Sequence, residues 1–352
     1  MAHFMRFNGW QKIKIKTDSG EHVDAIAPLI VSASRATDIP AFYAQWFFER
    51  LQRGYLKWVN PFNRKLQYVS FEKTRLVVFW SKNPHRIIRY LPHLDTRNIH
   101  WMLQYTLNDY ENEHLERNVP SLVSRIDTFK KLSSIVGPER VLWRFDPIIV
   151  NKQISADKIV EKIYKIGSEI HSYTSRLTIS FLELYNKVKH SMSRAGMECE
   201  SELSGETIRK ICSALQCMSR EWGIKVYSCA TDPDLDRYDI EHGACIDPYH
   251  ISKIFTDDPV LQSFCGSTPE QPELFSLPGS SVVHPYKDPG QRKACRCIAS
   301  KDIGSYDTCP HFCTYCYANN SEKVVLANSS RLQFGSDCLL GEGGKNPEFR
   351  IQ

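Results

Sequence analysis

The sequence predicts an α/β protein built as a partial (β/α)6-type, TIM-like barrel. Three observations carry that prediction. Six short apolar, β-branched runs alternate with helix-patterned stretches, at the spacing of βαβ units. Each run is nearly continuously apolar rather than alternating, which suits parallel strands covered on both faces. Finally, the chain has 352 residues, 42% hydrophobic and 24% charged, close to ordinary globular usage, which excludes a disordered or fibrous chain.

The elements follow in order. Lys12–Lys16 and Val23–Ile26, joined around Asp18-Ser19-Gly20, read as an N-terminal hairpin. The expected core strands are Ile26–Ser32, Leu76–Trp80, Ile99–Tyr105, Val141–Phe145, Leu177–Phe181 and Ile224–Cys229. Between them, Ala41–Leu51 carries aromatics at helical spacing, and Ser121–Val136 starts after Pro120 and stops at Gly137-Pro138. Ala156–His171 and Glu206–Trp222 complete the helices, the last ended by Gly223. Beyond Cys229 the pattern changes. A short helix over Pro248–Phe255 precedes an irregular Pro-, Gly- and Ser-rich excursion, Thr268–Gly290, then a cysteine-dense segment and a polar tail from Gly335. The expected organisation is a barrel scaffold over residues 1–232 and a cysteine-rich arm over residues 233–352 that folds across the barrel mouth.

Charge and targeting signals narrow the class. Lys and Arg number 45 against 40 Asp and Glu, a net +5. That mild excess tolerates an anionic ligand but lacks the clustered stripe typical of nucleic-acid binding. Lys57, Arg64 and Lys65 lie among Tyr55, Trp58 and Phe62, a combination open to a solvated face or a nucleic-acid contact. The N-terminal stretch lacks the apolar core of a signal peptide, and no run is long enough to span a bilayer, so a cytoplasmic protein without membrane contact is expected.

All 12 cysteines lie at or beyond Cys199. In a chain with no export signal, such a set points to metal binding or redox chemistry rather than disulfides. The densest run is Cys309-Pro-His-Phe-Cys313-Thr-Tyr-Cys316. Three thiolates at this spacing can wrap one face of a cubane iron–sulfur cluster, whose full ligation takes four. One iron then keeps an open position, as a three-ligand catalytic zinc does. Such an iron can bind a small molecule and pass it an electron, the requirement for reductive cleavage of S-adenosylmethionine. A zinc knuckle completed by His311 or His284, and incidental thiols, are the other readings of the same run.

A second set comprises Cys229, Cys245 and the C-x-C pair Cys295 and Cys297. Four thiolates would close a structural zinc site or an auxiliary iron–sulfur cluster; Cys229 alone would read as a buried strand residue. Cys199, Cys212, Cys217, Cys265 and Cys338 read as packing or surface thiols.

Strand ends supply the polar candidates, because residues there face the ligand mouth of a parallel barrel. They are Ser34, Arg35 and Asp38; Ser81, Lys82 and Asn83; Tyr105, Thr106 and Asn108; Arg144 and Asp146; Ser180 and Glu183; and Ser228. An arginine closing an apolar strand needs a partner: Arg144 can pair with Asp146 or clamp a carboxylate in two-point geometry. The sharpest expectation sets Lys82 or Arg144 on the methionine carboxylate and Ser81 or Ser180 on the ribose.

The triad spacing, with Tyr315 before its last cysteine, resembles the signature of the radical SAM superfamily. That superfamily carries its cysteines after the first barrel strand; here that loop reads Ser32-Ala-Ser-Arg-Ala-Thr-Asp38 and has none. Longer stretches resemble one family: SASRATDIP, NPFN, VVFWSKNP, QYTLNDY, ERVLWRFDPII, ACID and QRKACRC followed by DIGSYDTCPHFCTYCYAN. Together they resemble the bacterial family called domain of unknown function 1848, noted for a C-terminal cysteine cluster similar to that of radical SAM proteins. The resemblance implies a [4Fe–4S] cluster and S-adenosylmethionine as cofactors, with reduced flavodoxin or ferredoxin as electron donor. Arg-Phe-Asp-Pro and the Ser-Lys pair also resemble spore photoproduct lyase, which keeps a DNA-repair reading open. A non-catalytic iron–sulfur or zinc protein with a redox or structural role is the remaining alternative.

Overall fold

The computed structural model describes residues 5–229, 234–266, 285–287 and 294–341. Eight strands form its main sheet: β1 (Ile30–Ala33), β2 (Leu76–Ser81), β3 (His100–Thr106), β4 (Val141–Ile148), β5 (Arg176–Phe181), β6 (Lys225–Ser228), β7 (Ile240–His242) and β8 (Lys301–Asp302). Their order is β8-β1-β2-β3-β4-β5-β6-β7. Every neighbouring pair is parallel.

The six expected strands are therefore present and adjacent in chain order, as they would be in a barrel. Among the described residues the sheet does not close, however: β7 and β8 stand at its two ends. This corrects the TIM-like expectation, and the physical reason is visible on the sheet's inner face. Ile30, Leu76, Val78, Met102 and Leu142 pack there against Ile246, Ile251, Phe255, Leu261 and Ile298. The chain's own later segments fill the space that facing strands would occupy in a closed barrel. On the opposite face Val77, Phe79, Leu103, Trp143, Phe145 and Ile179 join the helices in a second core. Two covered faces account for the unbroken apolar runs.

The helices keep close to their expected bounds because their signals are local. Ser121, Ser155 and Ser204 cap Leu122–Val136, Ala156–Ile170 and Gly205–Trp222 by accepting from the backbone N–H three residues on. Gly223, at φ 66°, ends the last of these in the left-handed region. The first helix differs from expectation. Asp38 caps a short turn, Ile39–Phe42, and the chain restarts as Ala44–Arg53.

The N-terminal hairpin forms, with Lys14 opposite Asp24. The expected strand Ile26–Ser32 divides into the end of His22–Ile26 and the start of β1, because Pro28 between them has no N–H to give a ladder. The hairpin belongs to a four-stranded sheet completed by Leu66–Ser70 and Tyr55–Val59, an antiparallel pair absent from the sequence reading. Lys57 lies in this pair and is ion-paired to Asp337 at 2.9 Å. The excursion Thr268–Gly290, apart from residues 285–287, lies outside the described residues, as do His284 and the chain beyond residue 341. No described helix is long and apolar enough to cross a membrane.

Candidate functional site

The cysteine-rich segment is built onto the C-terminal ends of β1 to β3. Strand β8 adds to β1, with Asp302 opposite Ser32. The Asp302 carboxylate accepts from Ser32 Oγ (2.8 Å), Ser34 Oγ (2.7 Å) and the Arg35 N–H (2.9 Å). Two residues on, a Cβ at Gly304 would fall 1.8 Å from Ser34 Oγ, so only glycine fits this approach. Thr37 Oγ1 then donates to the Ser305 carbonyl (2.8 Å), and the Tyr43 hydroxyl donates to that of Thr308 (2.5 Å).

Asp38 is the next anchor. Buried, it accepts from Ser81 Oγ, the Lys82 N–H and His311 Nε2, each at 2.7 Å, while capping its own helix through Ala41 N. Burial alone would raise its pKa, but the hydrogen bond and charge of His311 bring it below the usual value. His311 Nδ1 meets the Asn118 carbonyl (3.2 Å). With both ring nitrogens taken, His311 is a brace for the loop, and the knuckle reading loses that ligand. The loop after β3 grips the other side: Thr314 N donates to Leu115 O (2.9 Å), and Asn118 holds the carbonyls of Pro310 and His311.

This framework brings Cys309, Cys313 and Cys316 together over the strand ends, each partly exposed. Burial pushes the Cys309 thiol up to about 12 and Cys313 well above its ordinary value; Cys309 and Cys316 also lie close enough to act on Cys313 by charge. No two of the three hydrogen-bond each other. Instead, the backbone N–H groups of His311 and Asp38 lie near Cys309, and those of Ala318 and Asn319 near Cys316, each lowering a thiol pKa that burial raises. Such donors to sulfur tune iron–sulfur clusters.

Lys82 stands beside Cys313. Its Nζ donates to Glu116 Oε1 (2.7 Å) and to the Tyr315 hydroxyl (2.9 Å), which in turn donates to Glu116. Arg125 lies 3.8 Å from the other Glu116 oxygen. Burial would raise Glu116, yet Lys82 and Arg125 bring it down to about 2, so the pair is charged.

From Glu116 the polar row runs along the strand ends toward β5. Asn108 Nδ2 reaches Glu116 (3.2 Å) and the Asp146 carbonyl (3.0 Å), and Asn108 Oδ1 accepts from Asp146 N (2.9 Å). The Asp146 carboxylate takes both Arg144 and Ser180 Oγ. Burial opposes its ionisation, but Arg144, Ser180 and Lys82 together lower its pKa. Arg144 Nη1 is also 2.9 Å from Cys245 Sγ, and Cys245 Sγ is 2.9 Å from that of Cys229. The thiols of Cys245 and Cys295 lie near enough to Cys297 to hold its pKa well below the ordinary thiol value. All four cysteines of the second set therefore meet. Among the described residues, no group of three or more His, Cys, Asp or Glu is arranged as it stands to hold a metal ion.

Of the expected cofactor contacts, Ser81, Lys82, Arg144, Asp146 and Ser180 all lie at the strand ends, and all are engaged by protein partners. Of the remaining thiols, Cys265 is buried in the same inner-face core as Cys245, Cys295 and Cys297; on Gly205–Trp222, Cys212 is buried and Cys217 exposed. The sequence reading did not single out Glu116, Asn118, Arg125 or Asp302. Glu116 sits in a loop that also holds Asp109, Glu111 and Glu113, so charge alone could not distinguish it.

A family profile described as domain of unknown function (DUF1848) matches residues 30–318. The chain belongs to that family. The DUF1848 region spans all eight strands of the main sheet and both cysteine sets. No curated protein matches the chain in sequence. Among solved structures, a candidate alpha-L-fucosidase from Bacteroides thetaiotaomicron aligns over 67% of this chain and 81% of that one, at 9% identity and a TM-score of 0.21. A likeness so low carries no argument about this member of DUF1848.

Proposed function

We propose that the protein is a radical-SAM-type iron–sulfur enzyme, with Cys309, Cys313 and Cys316 as the protein ligands of a [4Fe–4S] cluster. One observation carries the reading. The three thiols sit over the C-terminal ends of a parallel sheet within one another's electrostatic range, yet none is spent on another. That separation suits ligands that each cap a different iron, and the N–H donors on Cys309 and Cys316 suit a charged cluster. When bound, such a cluster supplies one electron for cleavage of S-adenosylmethionine.

The chain's own groups do the rest. Asp38 and His311 fix the ligand loop, and Lys82 holds a positive charge beside Cys313, locked by Glu116 and Tyr315. Arg144, Asp146 and Ser180 form the polar row toward which the amino-acid and ribose parts of S-adenosylmethionine would point. Lys82 or Arg144 would take the carboxylate, and Ser81 or Ser180 a ribose hydroxyl, each by exchanging or sharing a present partner. Reduced flavodoxin or ferredoxin would be the electron donor class, and the cytoplasm the compartment.

The second reading, an iron–sulfur protein without catalysis, is favoured by that same engagement of every proposed cofactor contact. Anaerobic reconstitution with iron and sulfide, then dithionite and S-adenosylmethionine, separates the two. The enzyme reading expects 5′-deoxyadenosine from the native chain and none from Cys313→Ser. A fully loaded cluster that never yields it leaves the non-catalytic reading standing.

A further inference from the structure

We propose that Cys229, Cys245, Cys295 and Cys297 form a second metal centre, a tetrathiolate site for one divalent ion of the zinc class, independent of the cysteine triad. The four come from three places in the chain. Cys229 follows β6, Cys245 follows the turn after β7, and the C-x-C pair leads into β8. Cys245, Cys295 and Cys297 are at most 8% exposed.

The backbone around them is tied so that the sulfurs converge. Cys229 N donates to the Ile179 carbonyl (2.9 Å), and Ile298 N to that of Ile246 (3.0 Å). The amides of Ile246 and Cys297 point at the sulfurs of Cys297 and Cys295, each at 3.4 Å. Arg296 Nη1 reaches the His242 carbonyl (2.9 Å), and His242 Nε2 meets that of Ala294 (2.8 Å). At Gly243 a Cβ would lie 2.8 Å from that of Tyr227, so the turn carrying Cys245 depends on glycine.

Scale decides the occupant. One zinc ion about 2.3 Å from each sulfur sets tetrahedral ligands about 3.8 Å apart. A four-iron cluster holds them farther apart, since each sulfur caps its own iron. Here Cys229 and Cys245 are 2.9 Å apart, too long for a disulfide bond of about 2.05 Å and shorter than either metal geometry. Opening that contact by about 1 Å reaches the single-ion edge; a cubane would need it to open farther. The triad, with no thiol–thiol contact, is the opposite case.

Charge agrees. Four thiolates around a divalent cation leave two net negative charges, and burying them requires compensation. Two guanidiniums stand at the site. Arg144 donates to Cys245 Sγ at 2.9 Å. Arg35 lies with Arg144 against the Trp80 ring, their centres 5.0 and 5.2 Å from its centroid. On binding, the thiols release their protons to solvent, and each sulfur gives one electron pair to the ion. No oxidant or reductant is involved.

The test uses the full chain with the triad removed, Cys309→Ser/Cys313→Ser/Cys316→Ser, so that it does not depend on the proposed enzyme. Elemental analysis of this variant from zinc-supplemented cells is expected to give about one zinc per chain. After chelator treatment, added Co2+ should produce thiolate-to-cobalt charge-transfer absorption that saturates at about one ion. Adding Cys295→Ser/Cys297→Ser should abolish both signals. If that five-site variant does not fold, the cobalt titration of the triad variant still decides. Iron with acid-labile sulfide in the triad variant, a Cys229–Cys245 disulfide by mass spectrometry, or no cobalt–thiolate absorption would each overturn the proposal.

Discussion

At Lys82 the ionic logic of the site is concentrated in one side chain. Its ammonium is the nearest charged partner of buried Glu116, with Arg125 standing farther off at 3.8 Å. Removing one member of a buried pair leaves the other charge uncompensated and costs about 3–5 kcal/mol, whereas removing both is far milder. Lys82→Met should therefore destabilise the metal-free chain by about 3 kcal/mol or more. The double variant Lys82→Met/Glu116→Gln should recover most of that loss, as read by denaturant unfolding of both single variants and the double; a double-variant loss equal to the sum of the two single losses would show that the pair is not coupled. Asp38 offers a parallel case. It accepts three side-chain or backbone donors at 2.7 Å. Asp38→Asn exchanges charged acceptance for an amide that must turn one donor toward a donor, so a loss of about 2–3 kcal/mol is expected from the same measurement. Sequence alone nominated both positions, because a charged residue just past an apolar strand is conspicuous. Their partners were hidden: nothing local ties Asp38 to His311 or Lys82 to Glu116.

Among the elements, what was legible followed the range of the signal. Serine caps, stop glycines and apolar runs act over a few residues, and the helices and core strands they define begin and end close to expectation. Leu66–Ser70 and Tyr55–Val59 were missed because the turn between them, residues 60–65, has no glycine, only Arg64 at φ 60°. Strands β7 and β8, with three and two residues, are too short to carry any periodicity. The β8 contact nevertheless places the triad, so Gly304→Ala is a sharp probe of it. The added methyl collides with Ser34 Oγ, and overpacking of this kind costs about 1–3 kcal/mol. We expect that loss in unfolding experiments, together with reduced iron retention; an unchanged iron content would mean that the arm is not seated through β8. The helix Pro248–Ile254, on the inner face, carries a pH signature. Burial lowers the pKa of His250 below 6.5, and its Nε2 meets the Glu139 carbonyl at 2.7 Å; Arg176, Asp247 and the Glu139 carboxylate also face it. Because the folded pKa is the lower one, the stability linked to this group is complete above pH 6.5 and lost as pH falls through the folded value. His250→Gln, which keeps a donor, should flatten the stability–pH curve in that acidic window and leave it unchanged near pH 8.

For the whole molecule, the difference between a barrel and an open sheet lies in what covers the inner face. Six adjacent parallel strands are compatible with either, and the sequence pattern of a strand buried on both sides does not say whether its inner neighbour is another strand or a returning helix. Here it is residues 246–264 and 295–299 of the same chain. A chain ended at residue 232 would keep all six expected strands yet uncover Ile30, Leu76, Val78, Met102 and Leu142. Each such side chain contributes about 1.5–3 kcal/mol by burial. Together they approach the whole stability of an ordinary domain, about 5–15 kcal/mol. The truncated scaffold should therefore be insoluble, or compact but loosely packed: near-native far-ultraviolet circular dichroism, strong binding of a hydrophobic dye and no cooperative melting transition. A soluble, cooperatively melting fragment would mean instead that the six-strand unit closes on itself without its C-terminal third, and that the cysteine-rich segment is an addition to a self-sufficient barrel.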